Sequence, residues 1–197
     1  MNIKNIFFIL EKIDEQILKN ILKFKNISII YNQEKVNNFD LNKIKLISKK
    51  NNIPLYLRND VKLAIKHDLD GVYISSNNKK IIYPTNKKVS FKIIGHAHNQ
   101  REFFFKKKQV CDIIVVSPIF YNDKYSKNQI LDILKFNLLT KDWSNSICAL
   151  GGINLSNITK IKLTKSKYIG VKKFIENLKW KNPASFYTNG VFFNLLK

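Results

Sequence analysis

Several short clusters in this sequence carry residue types that do chemistry. Gly151-Gly152-Ile153 sets two adjacent glycines after an apolar run, where backbone N–H groups can approach a phosphate with no Cβ in the way. The same pair suits a tight turn that needs positive φ, and the residues alone leave both readings open. Asn59-Asp60 offers Mg2+ a hard oxygen ligand, whereas a bare aspartate before Val61 reads first as a helix N-cap. His96 and His98, two apart on an extended segment, share one face and could chelate zinc. No third ligand accompanies them, so substrate hydrogen bonding or packing is the stronger reading. Cys111 and Cys148 each open an apolar run and read as buried free thiols in a reducing compartment.

These clusters need elements to hold them, and the apolar pattern supplies a repeating set. Short β-type runs occur at 6–10, 27–31, 54–57, 71–75, 91–96, 112–119, 146–150 and 168–171. Helix-period stripes lie between them: Ile13-Ile17-Leu18-Ile21-Leu22, Leu41-Ile44-Ile47 and Leu131-Leu134-Leu138. Asp40 and Ser156 stand where N-caps would. The stretch 77–89 is irregular and reads as a long loop carrying a short helix. Strands apolar on both faces imply a parallel sheet covered on each side. Eight βα repeats predict a single-domain (β/α)8 TIM barrel spanning 1–197, with an open doubly wound sheet as the alternative. Residues 180–197, rich in aromatic side chains, read as a closing segment packed on the barrel.

An active site in such a barrel lies at the C-terminal ends of the strands. The segments following the runs are Asn32-Gln33-Glu34-Lys35, Arg58-Asn59-Asp60, Ser75-Ser76-Asn77-Asn78, His96-Ala97-His98, Tyr121 through Lys127, Gly151-Gly152 and Lys172-Lys173. The mouth is therefore expected to be polar, cationic and supplied with a carboxylate, which suits a phosphorylated substrate with a divalent metal.

Composition narrows the classes further. The formal net charge is +21, yet of 35 basic residues only Arg58 and Arg101 are arginine, and asparagine occurs 25 times. Abundant Lys, Asn and Ile are what A/T-rich codons produce. The lysines are spread along the whole chain and not clustered, which argues against nucleic acid as a partner and leaves attraction of small anions as the milder consequence. No apolar run approaches the ~18 residues of a membrane span, and no leader-type segment opens the chain. The expectation is a cytoplasmic protein; oligomeric state is not legible.

Taken in order, Leu57-Arg58-Asn59-Asp60, Gly71-Val72-Tyr73-Ile74, Ile94-Gly95-His96-Ala97-His98, residues 112–120 and Ala149-Leu150-Gly151-Gly152-Ile153 resemble the thiamine-phosphate synthase and thiazole tautomerase family. The resemblance covers roughly residues 27–175. It implies a transferase that joins an aminopyrimidine methyl diphosphate to a thiazole phosphate and releases diphosphate, with Mg2+ holding the diphosphate. By position, Asn59 would contact the pyrimidine, Asp60 and Asn78 would fall at the metal, and Lys35, Ser126 and Lys127 would meet the diphosphate. Gly151 and Gly152 would cradle the thiazole phosphate, and His96 and His98 would bind substrate.

The chain departs from the family pattern at several of these positions. Gln33 stands where an arginine is expected, Asn78 where the second metal-binding aspartate is expected, and His96 where a serine is expected. Pro118 occupies the position of the tautomerase histidine. Two other readings therefore stand beside the synthase: a relative of the same fold that binds or processes a thiamine-like phosphate without coupling, and a basic barrel that binds RNA or a membrane surface.

Overall fold

The computed structural model describes residues 5–81, 88–154 and 156–172. Eight strands run β1 (Asn5–Leu10), β2 (Ile27–Tyr31), β3 (Leu55–Arg58), β4 (Gly71–Ile74), β5 (Lys92–Ala97), β6 (Ile113–Val116), β7 (Ser146–Leu150) and β8 (Tyr168–Val171). Each pairs in parallel with the next, and β1 pairs with β8 in the register Asn5↔Tyr168 to Phe8↔Val171, so the sheet closes into a barrel. Helices α1 (Glu15–Ile21), α2 (Asn38–Lys50), α3 (Val61–Lys66), α4 (Gln100–Lys108) and α5 (Asp132–Thr140) lie in the connections, with 3-10 turns at Lys127–Gln129 and Ile158–Leu163. This is the single (β/α)8 barrel that the repeat pattern predicts. Residues 180–197 lie outside the described residues, as does the middle of the 77–89 loop.

Strand alternation divides the core in two. Inward-facing Phe7, Ile9, Ile30, Tyr56, Tyr73, Ile94, Ile113, Val115 and Cys148 fill the barrel. Outward-facing Ile29, Leu57, Val72, Ile114 and Val116 pack under the helices. The interior is aromatic: Phe7 meets Tyr56 edge-on at 5.8 Å and Tyr168 at 5.3 Å between ring centroids. Near the start of two strands an N–H is met by a carboxylate one strand over: Leu55 N–H donates to Asp70 Oδ2 at 2.9 Å and Ile93 N–H to Asp112 Oδ2 at 2.8 Å. Both aspartates stand just before the next strand, which ties the strand starts together.

Some local expectations are corrected. Helix α2 starts earlier than the Asp40 cap predicts, because Asn37 Oδ1 accepts from Phe39 N–H at 2.9 Å and Asp40 falls within the first turn. Ser156 does not cap the 158–163 turn; its N–H and Oγ both turn back to Asn154 Oδ1. Strand β6 ends at Val116 and not at Ile119, since Pro118 has no N–H to continue a ladder. In α5 the residues that face inward are Phe136 and Thr140, while Leu134 and Leu138 are exposed.

The glycine pair adopts the positive-φ turn allowed for it, with φ +94° at Gly151 and +69° at Gly152. A Cβ at Gly152 would stand 2.4 Å from the carbonyl oxygens of Phe120 and Tyr121, so the loops after β6 and β7 can approach each other only because glycine is there. Gly152→Ala is therefore expected to lower stability by about 1–3 kcal/mol or more, read from the urea midpoint at unchanged m-value.

Candidate active site

The inward positions of the strands, carried one step past the packed interior, select the floor of the mouth. Two residues beyond Ile9, Ile30, Tyr56, Tyr73, Ile94, Val115, Cys148 and Gly170 stand Glu11, Asn32, Arg58, Ser75, His96, Ser117, Leu150 and Lys172. All eight line one cavity of about 560 Å3 at the strand ends, joined by His98, Tyr121 through Tyr125, and Gly151 through Asn154. A larger groove of about 910 Å3 lies between α4 and residues 128–142 and meets the mouth at His98 and Tyr125, which line both.

Two imidazoles and one hydroxyl form a connected group in the cavity. His96 Nε2 lies 2.7 Å from Ser117 Oγ, and His98 Nδ1 lies 3.0 Å from the Ser117 carbonyl oxygen and 3.1 Å from Ser117 Oγ. A carbonyl only accepts, so His98 carries its proton on Nδ1. Burial, aided by His98, Lys106 and Arg58, holds His96 well below the usual histidine range. Neutral His96 then accepts the Ser117 hydroxyl proton in a hydrogen bond at Nε2. The imidazole is a neutral polar group on the cavity wall and not a cation. The positive charge of the mouth comes from Arg58, Lys124 and Lys172, with Lys172 paired to Glu11.

The loop after β4 is held from beneath by a buried cation. Lys106 of α4 is fully buried, and its ammonium donates to Ser75 O at 2.7 Å, Asn78 O at 2.8 Å and Gln109 Oε1 at 2.9 Å. Gln109 Nε2 donates in turn to Asn78 O and Lys80 O. Room for the lysine stem comes from Gly95, where a Cβ would lie 2.9 Å from Lys106 Cδ. Above it, Asn59 Oδ1 accepts from Ser75 N–H at 2.9 Å and Asn78 Nδ2 at 3.2 Å, while Asn59 Nδ2 donates to Ser75 Oγ at 3.0 Å.

The structure places the ten residues named from sequence in three groups. His96, His98, Gly151 and Gly152 line the cavity. Asn59 and Asn78 join the loops after β3 and β4, and Asp60 caps α3 with Oδ1 accepting from Leu63 N–H at 2.9 Å. Lys35, Ser126 and Lys127 are exposed on the rim loops after β2 and β6 and are not among the cavity-lining residues. Arg58, Ser117 and Lys172, which the sequence places just after their strands without assigning them a role, also line the cavity, each in the same inward parity as the residues of the packed interior.

Mg2+ takes hard oxygen donors, usually one or two carboxylates. Among the described residues, no three His, Cys, Asp or Glu side chains are grouped to hold a metal. Asp60 is a lone carboxylate used as a cap, Asn78 Oδ1 accepts from Lys80 N–H at 3.0 Å, and the Lys106 ammonium sits against the same loop. These residues do not make a Mg2+ site.

Comparison with known proteins identifies the family. The family model for thiamine monophosphate synthase matches residues 19–175. The chain belongs to that family. It is 29% identical over 118 residues to a thiamine-phosphate synthase of Thermoplasma acidophilum, covering 59% of this chain and 54% of the relative. With a thiamine-phosphate synthase of Bacillus cereus strain B4264 it shares 26% over 153 residues, 69% of each chain. The chain thus spans between about half and about two thirds of these two relatives. Its fold is like that of thiamine phosphate pyrophosphorylase from Pyrococcus furiosus, with a TM-score of 0.67 at 16% identity over 87% of each chain. The counterpart from Bacteroides thetaiotaomicron gives 0.58 at 16% identity, covering 91% of this chain and 89% of that one. No helix among the described residues is long and apolar enough to cross a membrane.

Two outcomes follow for this thiamine monophosphate synthase relative. Asp60→Ala should cost about 1 kcal/mol through loss of the α3 cap, measured by chemical unfolding. Burial pulls Lys106 down to about 8, against the opposing pull of Cys111 and Glu102. The unfolded lysine keeps its proton to about 10.4, so between about pH 8 and 10 the unfolded chain binds the extra proton and rising pH favours the fold. Wild type should therefore gain stability relative to Lys106→Met across that window, and the two unfolding curves should run parallel below it.

Proposed function

We propose that this chain is a transferase of the thiamine-phosphate synthase type, acting in the cytoplasm. In this reading it couples an aminopyrimidine methyl diphosphate to a thiazole phosphate and releases diphosphate. The C–O bond between the pyrimidine methylene and the diphosphate breaks and takes its electron pair with the leaving group. The thiazole ring nitrogen supplies the pair for the new C–N bond. The chemistry demands countercharge for the departing diphosphate, in a mouth that is partly shielded from water. The observation that carries the reading is the cationic cavity at the strand ends of a chain in this family, with Arg58, Lys124 and Lys172 on its wall.

Roles follow from placement. Arg58 and Lys172 face the leaving group from the floor, and Lys35 with Ser126 and Lys127 would close over it from the rim loops. Gly151 and Gly152 give the thiazole phosphate a wall without side chains. Neutral His96, His98 and Ser117 orient the uncharged ring atoms. Asn59, locked to Ser75, shapes the pyrimidine side. Asp60 and Asn78, which the resemblance puts at Mg2+, act in this chain by holding the β3 and β4 loops. The competing reading, a relative that binds a thiamine-like phosphate without coupling, is favoured by the amides at Asn59 and Asn78 being spent on each other.

Purified protein supplied with both substrates should release diphosphate and form thiamine phosphate, followed by chromatography. Thermal stabilisation by thiazole phosphate without any product would replace the transferase by the binding reading. Silence in both measurements would remove both.

A further inference from the structure

The family's reaction needs positive charge on a diphosphate, and among the described residues the two positions that the resemblance puts at Mg2+ hold no carboxylate pair: Asp60 is the α3 cap and Asn78 is an amide. A guanidinium is built instead. Arg58 follows Tyr56 in the inward parity of β3, so its side chain rises from the packed interior into the mouth, where it lines the cavity beside Tyr73, Ser75 and His96. It is an arginine in a chain whose basic residues are otherwise nearly all lysine.

The state of that guanidinium suits an anion receptor. Its side chain is 21% exposed, and its ion pair is a single contact from Nη2 to Glu34 Oε1 at 3.0 Å. Glu34 stands on the rim with its side chain 81% exposed, so water competes strongly for it and an incoming anion can displace it. Arg58 Nε is buried and has no hydrogen-bond partner among the described residues. A planar fork with donors to spare matches the paired oxygens of a diphosphate better than a carboxylate held at one point. The Lys106 ammonium under the β4 loop adds fixed positive charge on the same side of the mouth, which favours an anion there and opposes a second cation.

We infer that Arg58 makes the mouth of this barrel a diphosphate site that works without a divalent cation, the guanidinium supplying the countercharge. The inference deepens the proposed function and rests on its reading of the mouth as a site for phosphorylated substrate. Glu34 is the internal competitor for the same fork, a carboxylate placeholder that leaves when diphosphate arrives.

The test is calorimetric titration with inorganic diphosphate in EDTA at about 150 mM salt, where weak non-specific charge attraction is screened. Wild type should bind in EDTA with an affinity within about threefold of that in Mg2+. Arg58→Gln should lose at least tenfold, and Glu34→Gln should bind as well as wild type or a few-fold more tightly. Arg101→Gln, the same charge change on the exposed face of α4, should bind like wild type. If Arg58→Gln does not fold, Arg58→Lys takes its place, with a several-fold loss expected from a point charge without the fork. Binding by wild type only when Mg2+ is present overturns the inference, as does an Arg58 variant that matches wild type or an Arg101→Gln loss of equal size. Binding in EDTA without any coupling activity leaves this inference standing and removes the transferase reading. Coupling with strictly Mg2+-dependent diphosphate binding does the reverse.

Discussion

Parallel pairing of β1 with β8 is the contact on which the rest of this molecule depends. Four register pairs, Asn5↔Tyr168 through Phe8↔Val171, join the ends of a chain segment more than 160 residues long. Once the ring closes, parity is no longer a local property of a strand. Every second side chain must enter a shared interior, and Phe7, Tyr56, Tyr73 and Tyr168 have no other place to bury their rings. The same rule fixes what emerges above them. Glu11, Arg58, His96, Ser117 and Lys172 converge because they continue the inward rows, so the chemistry of the mouth is an extension of the packing beneath it.

The mouth's electrostatics reflect that packing. Burial beside Lys106 and Arg58 keeps the His96 imidazole uncharged, which leaves the guanidinium and the ammonium groups as the positive charges of the mouth. The loops after β3 and β4 are stiffened by hydrogen bonds among Asn59, Ser75 and Asn78 from above and by Lys106 from below. Side chains spent in this way are not available to a metal. The described positive charge of the mouth sits instead on Arg58, Lys124 and Lys172.

The barrel was legible from sequence because apolar runs recur eight times with helix-period stripes between them, and burial on both faces leaves few other arrangements for Ile29–Tyr31 or Ile113–Val116. Helix starts were less so. Asn37 takes the capping role that Asp40 was expected to hold, since either side chain can serve and only the entry angle of the chain chooses between them. Site residues were legible where a motif marks them, as at Gly151-Gly152 and His96-Ala97-His98. Arg58 stands in the Leu57-Arg58-Asn59-Asp60 motif without a role of its own, and its inward direction follows only from counting two from Tyr56; Lys106 looks like one of several lysines on a solvated helix face until its depth is seen. The apolar stripe of α5 misled for the opposite reason: Leu134 and Leu138 keep helical spacing, yet the helix turns Phe136 inward.

The buried lysine also constrains how the sequence can drift. A methyl group at position 95 would meet Cys111 Sγ at 2.6 Å and the stem of Lys106 at 2.9 Å. Positions 95, 106 and 111 are therefore one linked choice and not three independent ones. A lineage that trades both the lysine and the cysteine for smaller residues frees position 95 to acquire a side chain, and losing the lysine unfastens the β4 loop. Covariation of these positions among relatives would mark the branches on which that fastening was gained or lost.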